Sequence, residues 1–233
     1  MANSDEILVL GEITDGSLAS TSKELLAAGR SLADTLGHKL SISLLAQDGK
    51  QPAQDAISYG ADQVYLLKDA LLNDFQIDLH LSALEQLCSQ VKPNIILISR
   101  TNNGRDLAPR LAIRLDTGMA QDCLTVEVDK TSKQMVAHRP VYGGNATAAV
   151  SFLSTPQIAC IRPKAYEPAN PDQSRQGQII SKEVALTPSM VRVRVVEQIK
   201  EETEGVSMEN ARIVIAGGRG LGGPEPFQDI EAV

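Results

Sequence analysis

The feature that most restricts the fold is a hydrophobic period that switches back and forth along the first half of the chain. Glu6-Ile7-Leu8-Val9-Leu10, residues 40–45, residues 63–67 and residues 95–98 are short apolar runs. Stretches with apolar residues every three or four positions separate them. Near-continuous apolar runs suit strands covered on both faces, and the intervening period suits amphipathic helices. Strand, helix, strand in repetition builds a parallel sheet with helical crossovers. The first helix carries Leu25, Leu26, Gly29, Leu32, Ala33 and Leu36 on one face and ends at Gly37. Thr21 and Glu24 have the spacing of a capping box at its start. A short helix over 53–59 closes at Gly60, and a longer one covers 79–91. Pro93 precedes the fourth apolar run, which leads through Arg100-Thr101-Asn102-Asn103-Gly104-Arg105-Asp106 into a helix reaching Leu115.

Past Gly118 the texture changes. Residues 124–128, 135–139, 147–152 and 158–161 are strand-like runs split by turns, and antiparallel pairing is the expectation for all of them. Residues 166–181, rich in Pro, Asn, Gln and Ser, read as a solvated loop, and 191–196 reads as extended. The polar stretch 197–205 reads as a connector, after which Ile213-Val214-Ile215-Ala216 begins a new strand. The expected organisation is an α/β domain over 1–204, a mostly parallel sheet flanked by helices with an added antiparallel section, and a second unit over 205–233.

Composition narrows the function. The chain has 233 residues, no tryptophan and 3% aromatics, so a core must come from Leu, Ile, Val and Ala. A net charge of -7 without a run of Lys or Arg offers no track for a polyanion, which excludes nucleic acid as a partner. Cys88, Cys123 and Cys160 are widely spaced in apolar segments, the pattern of reduced core thiols rather than of disulfides or metal ligands. His38, His80 and His138 lie far apart and near no nucleophile signature, so no catalytic triad or zinc site is expected. The N-terminus lacks a signal peptide's basic and apolar regions, and no apolar run is long enough to cross a bilayer. The expectation is a cytoplasmic protein with no membrane insertion.

Three stretches bear on binding. Gly217, Gly218 and Gly220 surround Arg219 behind an apolar run, so backbone can approach a ligand while a guanidinium offers its planar fork. The spacing is neither Gly-x-Gly-x-x-Gly nor a phosphate loop, and a tight turn accounts for it equally well. Asn102-Asn103-Gly104-Arg105-Asp106 follows a strand at its carboxyl end, where open α/β sheets bind ligands, yet Asn and Asp capping the next helix explain it more simply. Arg139-Pro140-Val141-Tyr142-Gly143-Gly144-Asn145-Ala146 holds what a hairpin bend requires.

Taken in order, these stretches resemble the alpha subunit of electron-transfer flavoprotein. The resemblance runs through Asn103-Gly104-Arg105-Asp106-Leu107-Ala108-Pro109-Arg110-Leu111-Ala112, Thr117-Gly118-Met119-Ala120-Gln121-Asp122, the stretch from Arg139 to Ala146, Ile161-Arg162-Pro163, and Gly217-Gly218-Arg219-Gly220-Leu221-Gly222-Gly223-Pro224-Glu225. It implies a Rossmann-like, nucleotide-alpha-hydrolase-like domain packed on a beta subunit, and a following domain that holds FAD. It also implies an electron carrier rather than an enzyme: a heterodimer whose FAD takes electrons from a flavin dehydrogenase, such as an acyl-CoA dehydrogenase, and passes them on. The glycine-rich loop opens the FAD domain in that family and its arginine contacts the flavin nucleotide, so Gly217, Gly218, Arg219 and Gly220 are the implied cofactor residues. No catalytic or metal-binding residue is implied. The family's later FAD-binding segments would fall beyond Val233, so the expected FAD site is incomplete within these residues. A rival of another class is a stand-alone nucleotide-binding or regulatory module that reuses the α/β domain without electron transfer.

Overall fold

A computed structural model describes residues 4–47, 49–193, 195–197, 211 and 213–232. The chain divides into two compact units, Met1–Arg194 and Val195–Val233. The first begins with strand β1 (Glu6–Leu10), a two-residue hairpin of β2 (Ile13–Thr14) and β3 (Ser17–Leu18), and helix α1 (Ser20–Leu36). It continues with β4 (Lys39–Leu45), α2 (Lys50–Ser58), β5 (Gln63–Leu67), α3 (Ile77–Val91), β6 (Ile95–Ser99) and α4 (Asn102–Arg114). Then come β7 (Met119–Cys123), β8 (Thr125–Val128), β9 (Met135–Val141), β10 (Ala146–Ser151), β11 (Gln157–Ile161) and β12 (Gln178–Lys182).

Seven strands form one sheet in the order β12-β5-β4-β1-β6-β11-β7, and every pairing in it is parallel. Because successive side chains point to opposite faces, β1 sends Ile7 and Val9 to one side and Leu8 and Leu10 to the other. The first side packs against α1 through Leu25, Leu26 and Leu32, and against α2 through Ala53, Ala56 and Ile57. The second packs against α3 through Leu79, Leu84 and Leu87, and against α4 through Leu107 and Leu111. Each fully buried Leu or Ile contributes about 1.5–3 kcal/mol over its exposed state, so the two apolar layers carry the fold without large aromatics. The antiparallel sheet β10-β9-β8 joins the first layer through Val126, Met135 and Ala137.

The four parallel strands and four helices expected over 1–115 all form. Gly37 ends α1 in the left-handed region at φ 71, and its N–H donates to the Ala33 carbonyl. The expected capping box does not form. Ala19 is the N-cap, Ser22 Oγ accepts from the Glu12 N–H at 2.8 Å, and the Glu24 carboxylate accepts from the Lys164 N–H at 2.6 Å. Of the expected pair, Glu24 is drawn into a long-range contact instead.

Three expectations in the second half are corrected. Residues 158–161 belong to β11, a fully buried parallel strand between β6 and β7, not to the antiparallel sheet. Met119–Cys123, read only as a motif, forms the parallel edge strand β7. The end of the 166–181 loop is β12, which pairs in parallel with β5. Asp62 anchors that return: its carboxylate accepts from Arg175 at 2.6 Å and Arg30 at 2.9 Å, and its carbonyl accepts from the Gln178 N–H at 3.0 Å. Residues 191–193 and 195–197 form no strand. The expected connector, apart from Glu197, and the boundary near Gly205 lie outside the described residues.

In the second unit, residues 213–216 enter no sheet among the described residues, and Ile213 is 82% exposed. A strand needs a hydrogen-bonded neighbour, and the described part of this unit supplies only a 3-10 turn over Arg219–Leu221 and α5 (Phe227–Glu231).

Candidate functional site

The strand order reverses at β1, which has β4 on one side and β6 on the other. Ligands of open α/β sheets bind at the carboxyl ends of strands beside such a switch point. A cavity of about 350 Å³ lies there, walled by Leu10, Leu45, Ile98, Phe75 and Leu107 and bordered by Glu12, His80 and Asn103. Glu12 accepts a 2.6 Å hydrogen bond from the Thr101 hydroxyl, and burial raises its pKa against that bond. Thr101 Oγ1 in turn accepts from the Gly104 N–H at 3.0 Å and so caps α4. The capping role expected of Asn102 and Asp106 thus falls to Thr101, while Arg105 pairs with its neighbour Asp106 at 3.7 Å. Gly104 is required by packing, because a Cβ there would overlap the Ser99 carbonyl oxygen.

The cavity's chemistry is restrictive. Among the described residues its lining includes no Lys or Arg, and it presents the carboxylates of Glu12 and Asp15, which disfavours a phosphate there. Burial pushes the His80 pKa down to about 4, so the imidazole is neutral, with Nδ1 3.1 Å from the Gln76 carbonyl oxygen. Ser43 Oγ donates to the Val9 carbonyl at 3.4 Å. Glu12, His80 and Ser43 each thereby have a structural partner, and the Thr101 hydroxyl that meets Glu12 is already engaged as the cap of α4.

The glycine-rich loop lies in the second unit. A Cβ on Gly217 would come within 2.5 Å of Leu221 Cδ1 and 2.8 Å of Phe227 Cε1, so that glycine lets the 3-10 turn and α5 close on the loop. Among the described residues nothing lies within 4 Å of where a Cβ on Gly218 or Gly220 would stand, and Arg219 is exposed. This loop offers unhindered backbone and one guanidinium. Those features suit part of a dinucleotide, at its phosphates or beside its ring.

Three of the remaining sequence motifs converge. Arg162, just past β11, grips Asp122 of β7 with two hydrogen bonds of 2.9 and 2.8 Å. Arg139 of β9 and the bend Tyr142-Gly143-Gly144 line the same open depression. The bend is the hairpin turn the glycine pair suggested, with Tyr142, Gly143 and Gly144 all at positive φ. Arg100, directly after β6, brings its Nε to 3.5 Å from Asp122. Sequence reading missed this cluster; its only trace was an arginine within or just after each of three strands.

The other candidates behave structurally. Burial pushes the thiols of Cys88 and Cys160 up to about 12 and that of Cys123 to about 11, so all three stay protonated. His38 lies 3.6 Å from Asp5 and His138 lies 3.1 Å from Glu127. Among the described residues no group of three or more His, Cys, Asp or Glu could hold a metal ion, and no helix is long and apolar enough to cross a membrane.

A profile described as the electron transfer flavoprotein domain matches residues 7–187, which takes in all of the parallel sheet but its first residue, Glu6. The chain belongs to the electron transfer flavoprotein family. It is 37% identical over 223 residues to electron transfer flavoprotein subunit alpha of Megasphaera elsdenii, covering 95% of this chain and 66% of that protein. It is 34% identical over 226 residues to the subunit alpha of Bacillus subtilis, covering 97% and 68%. Protein FixB of Clostridium saccharobutylicum is 35% identical over 223 residues, covering 95% and 66%. The chain thus spans about two thirds of the length of these curated relatives. Family membership agrees with the seven-stranded α/β domain and with the order of the motifs.

Proposed function

We propose that this chain serves as the alpha subunit of an electron transfer flavoprotein, a carrier rather than an enzyme, bound to a beta subunit. In this reading FAD takes electrons from a flavin dehydrogenase, such as an acyl-CoA dehydrogenase, and passes them to a downstream acceptor. The observation that carries it is the alignment with subunits named alpha across 95% of the chain, with the glycine-rich loop inside the aligned length. The α/β domain, taken as 1–204, packs on the beta subunit, and 205–233 opens the FAD-binding domain. FAD supplies the redox chemistry when bound; the protein binds it and sets its electronics. Gly218 and Gly220 leave the backbone open to its phosphates, Gly217 holds the loop against α5, and the exposed Arg219 places positive charge beside it. Within these residues the FAD site is a partial one.

The rival reading, a stand-alone nucleotide-binding module, finds no support in the switch-point cavity, whose lining among the described residues holds no Lys or Arg for a phosphate. The test uses the protein purified from its native host. Its flavin absorbance is expected to bleach anaerobically on mixing with a reduced flavin dehydrogenase, and Arg219→Ala is expected to weaken flavin retention or shift its potential. A protein without flavin, or one whose flavin no dehydrogenase reduces, overturns the assignment.

A further inference from the structure

We propose that Arg139 and Arg162, which line the open depression beside the β9–β10 bend, form with Arg100, paired to the shared Asp122, a binding site for an oxyanion, a phosphate or a carboxylate. Three guanidiniums approach one carboxylate there, leaving an excess of two positive charges. Arg162 engages both Asp122 oxygens. A structural tie between β11 and β7 accounts for that arginine, and Arg100 adds an ion pair to the same carboxylate, whereas the Arg139 side chain has neither hydrogen bond nor ion pair among the described residues. Arg100 Nε and Arg139 Nε are buried and make no hydrogen bond among the described residues. Buried donors of this kind are costly unless a partner arrives, and a guanidinium's fork is shaped for an oxyanion's paired oxygens.

The backbone is shaped to this end. Asp122 sits at φ 62, where the register between β7 and β11 shifts. Bulges of this sort re-aim a side chain, and a non-glycine residue in the left-handed region costs about 1–2 kcal/mol. Tyr142 is at φ 52 and 85% exposed on the same depression. Arg100 and Arg162 follow β6 and β11, which puts the cluster at the carboxyl ends of the parallel strands, where such sheets present ligands.

A phosphate could come from a small molecule and a carboxylate from a partner protein's acidic segment, so the test has two arms. The Nε–Hε resonances of the three arginines are followed by NMR at fixed ionic strength in chloride while inorganic phosphate, or separately a glutamate-rich hexapeptide, is added. Saturable shifts of the Arg100 and Arg139 signals are expected in at least one arm. Saturation by phosphate assigns a free anion, and saturation by the peptide alone assigns a partner's carboxylates. Arg139→Gln is expected to weaken binding by about tenfold or more, the loss of one charge-assisted contact. Arg139→Lys, which keeps the charge but not the fork, is expected to bind several-fold more weakly and serves if the glutamine variant does not fold. Shifts that stay linear in both arms, or substituted proteins that bind as tightly as the parent, overturn the proposal.

Discussion

Replacing Gly104 with Ala sets two effects of opposite sign against each other. Gly104 is the third residue of α4, and alanine in a helix interior is favoured over glycine by about 1 kcal/mol. Against that, the new methyl would overlap the Ser99 carbonyl oxygen and come within 3.1 Å of Ile98 Cγ2. Ser99 ends a central strand, paired with β11 at Ile161, so the carbonyl has little room to retreat. The helix start must move instead, which strains packing by about 1–3 kcal/mol. It also stretches the Thr101 cap on the Gly104 N–H, worth about 1 kcal/mol. The net expectation is a destabilisation of about 2 kcal/mol, or a melting temperature lowered by about 4–8 °C for a chain of this size. Thermal melts followed by far-UV circular dichroism measure it. Gly118→Ala is the control: nothing lies within 4 Å of its added methyl, and its change is expected to stay within about 0.5 kcal/mol. A Gly104→Ala protein that melts at or above the parent temperature refutes the tight approach of α4 to β6.

Other perturbations test separate parts of the account. His80 has a folded pKa lowered to about 4 from 6.5, so its contribution is fully present above pH 6.5 and is lost as pH falls toward 4. That contribution is no more than about 3 kcal/mol, and His80→Leu is expected to flatten the pH dependence of denaturant unfolding across this window; an unchanged slope contradicts it. The 233-residue polypeptide by itself is expected to lose FAD on gel filtration, because one loop and one guanidinium supply a few contacts of about 1.5–3 kcal/mol each before association and ordering are offset. A stoichiometric flavin band in its visible spectrum contradicts that.

The first half of the fold was legible because its strands are apolar runs and its helices have clean three-to-four spacing. Legibility failed where burial and sequence part company. Ile158-Ala159-Cys160-Ile161 is continuous rather than alternating, which is the mark of a strand covered on both faces, but its turn-rich surroundings suggested an antiparallel neighbour. β12 is an exposed edge whose place is set by Asp62, more than a hundred residues earlier in the chain, and by the approach of Gly177 to Ile57. No local pattern carries that information. Thr21 and Glu24 had a correct capping spacing that a longer-range bond from Lys164 overrode. At the candidate sites, the glycine-rich loop was visible as a motif, whereas the arginine cluster exists only after β6, β9 and β11 are brought together.

The central claim, an alpha subunit that works in a heterodimer, is tested most directly by mixing this chain with the beta subunit from the same organism. Multi-angle light scattering at micromolar concentration is the measurement. One peak with the mass of a one-to-one complex is expected. Two separate monomer peaks would contradict it.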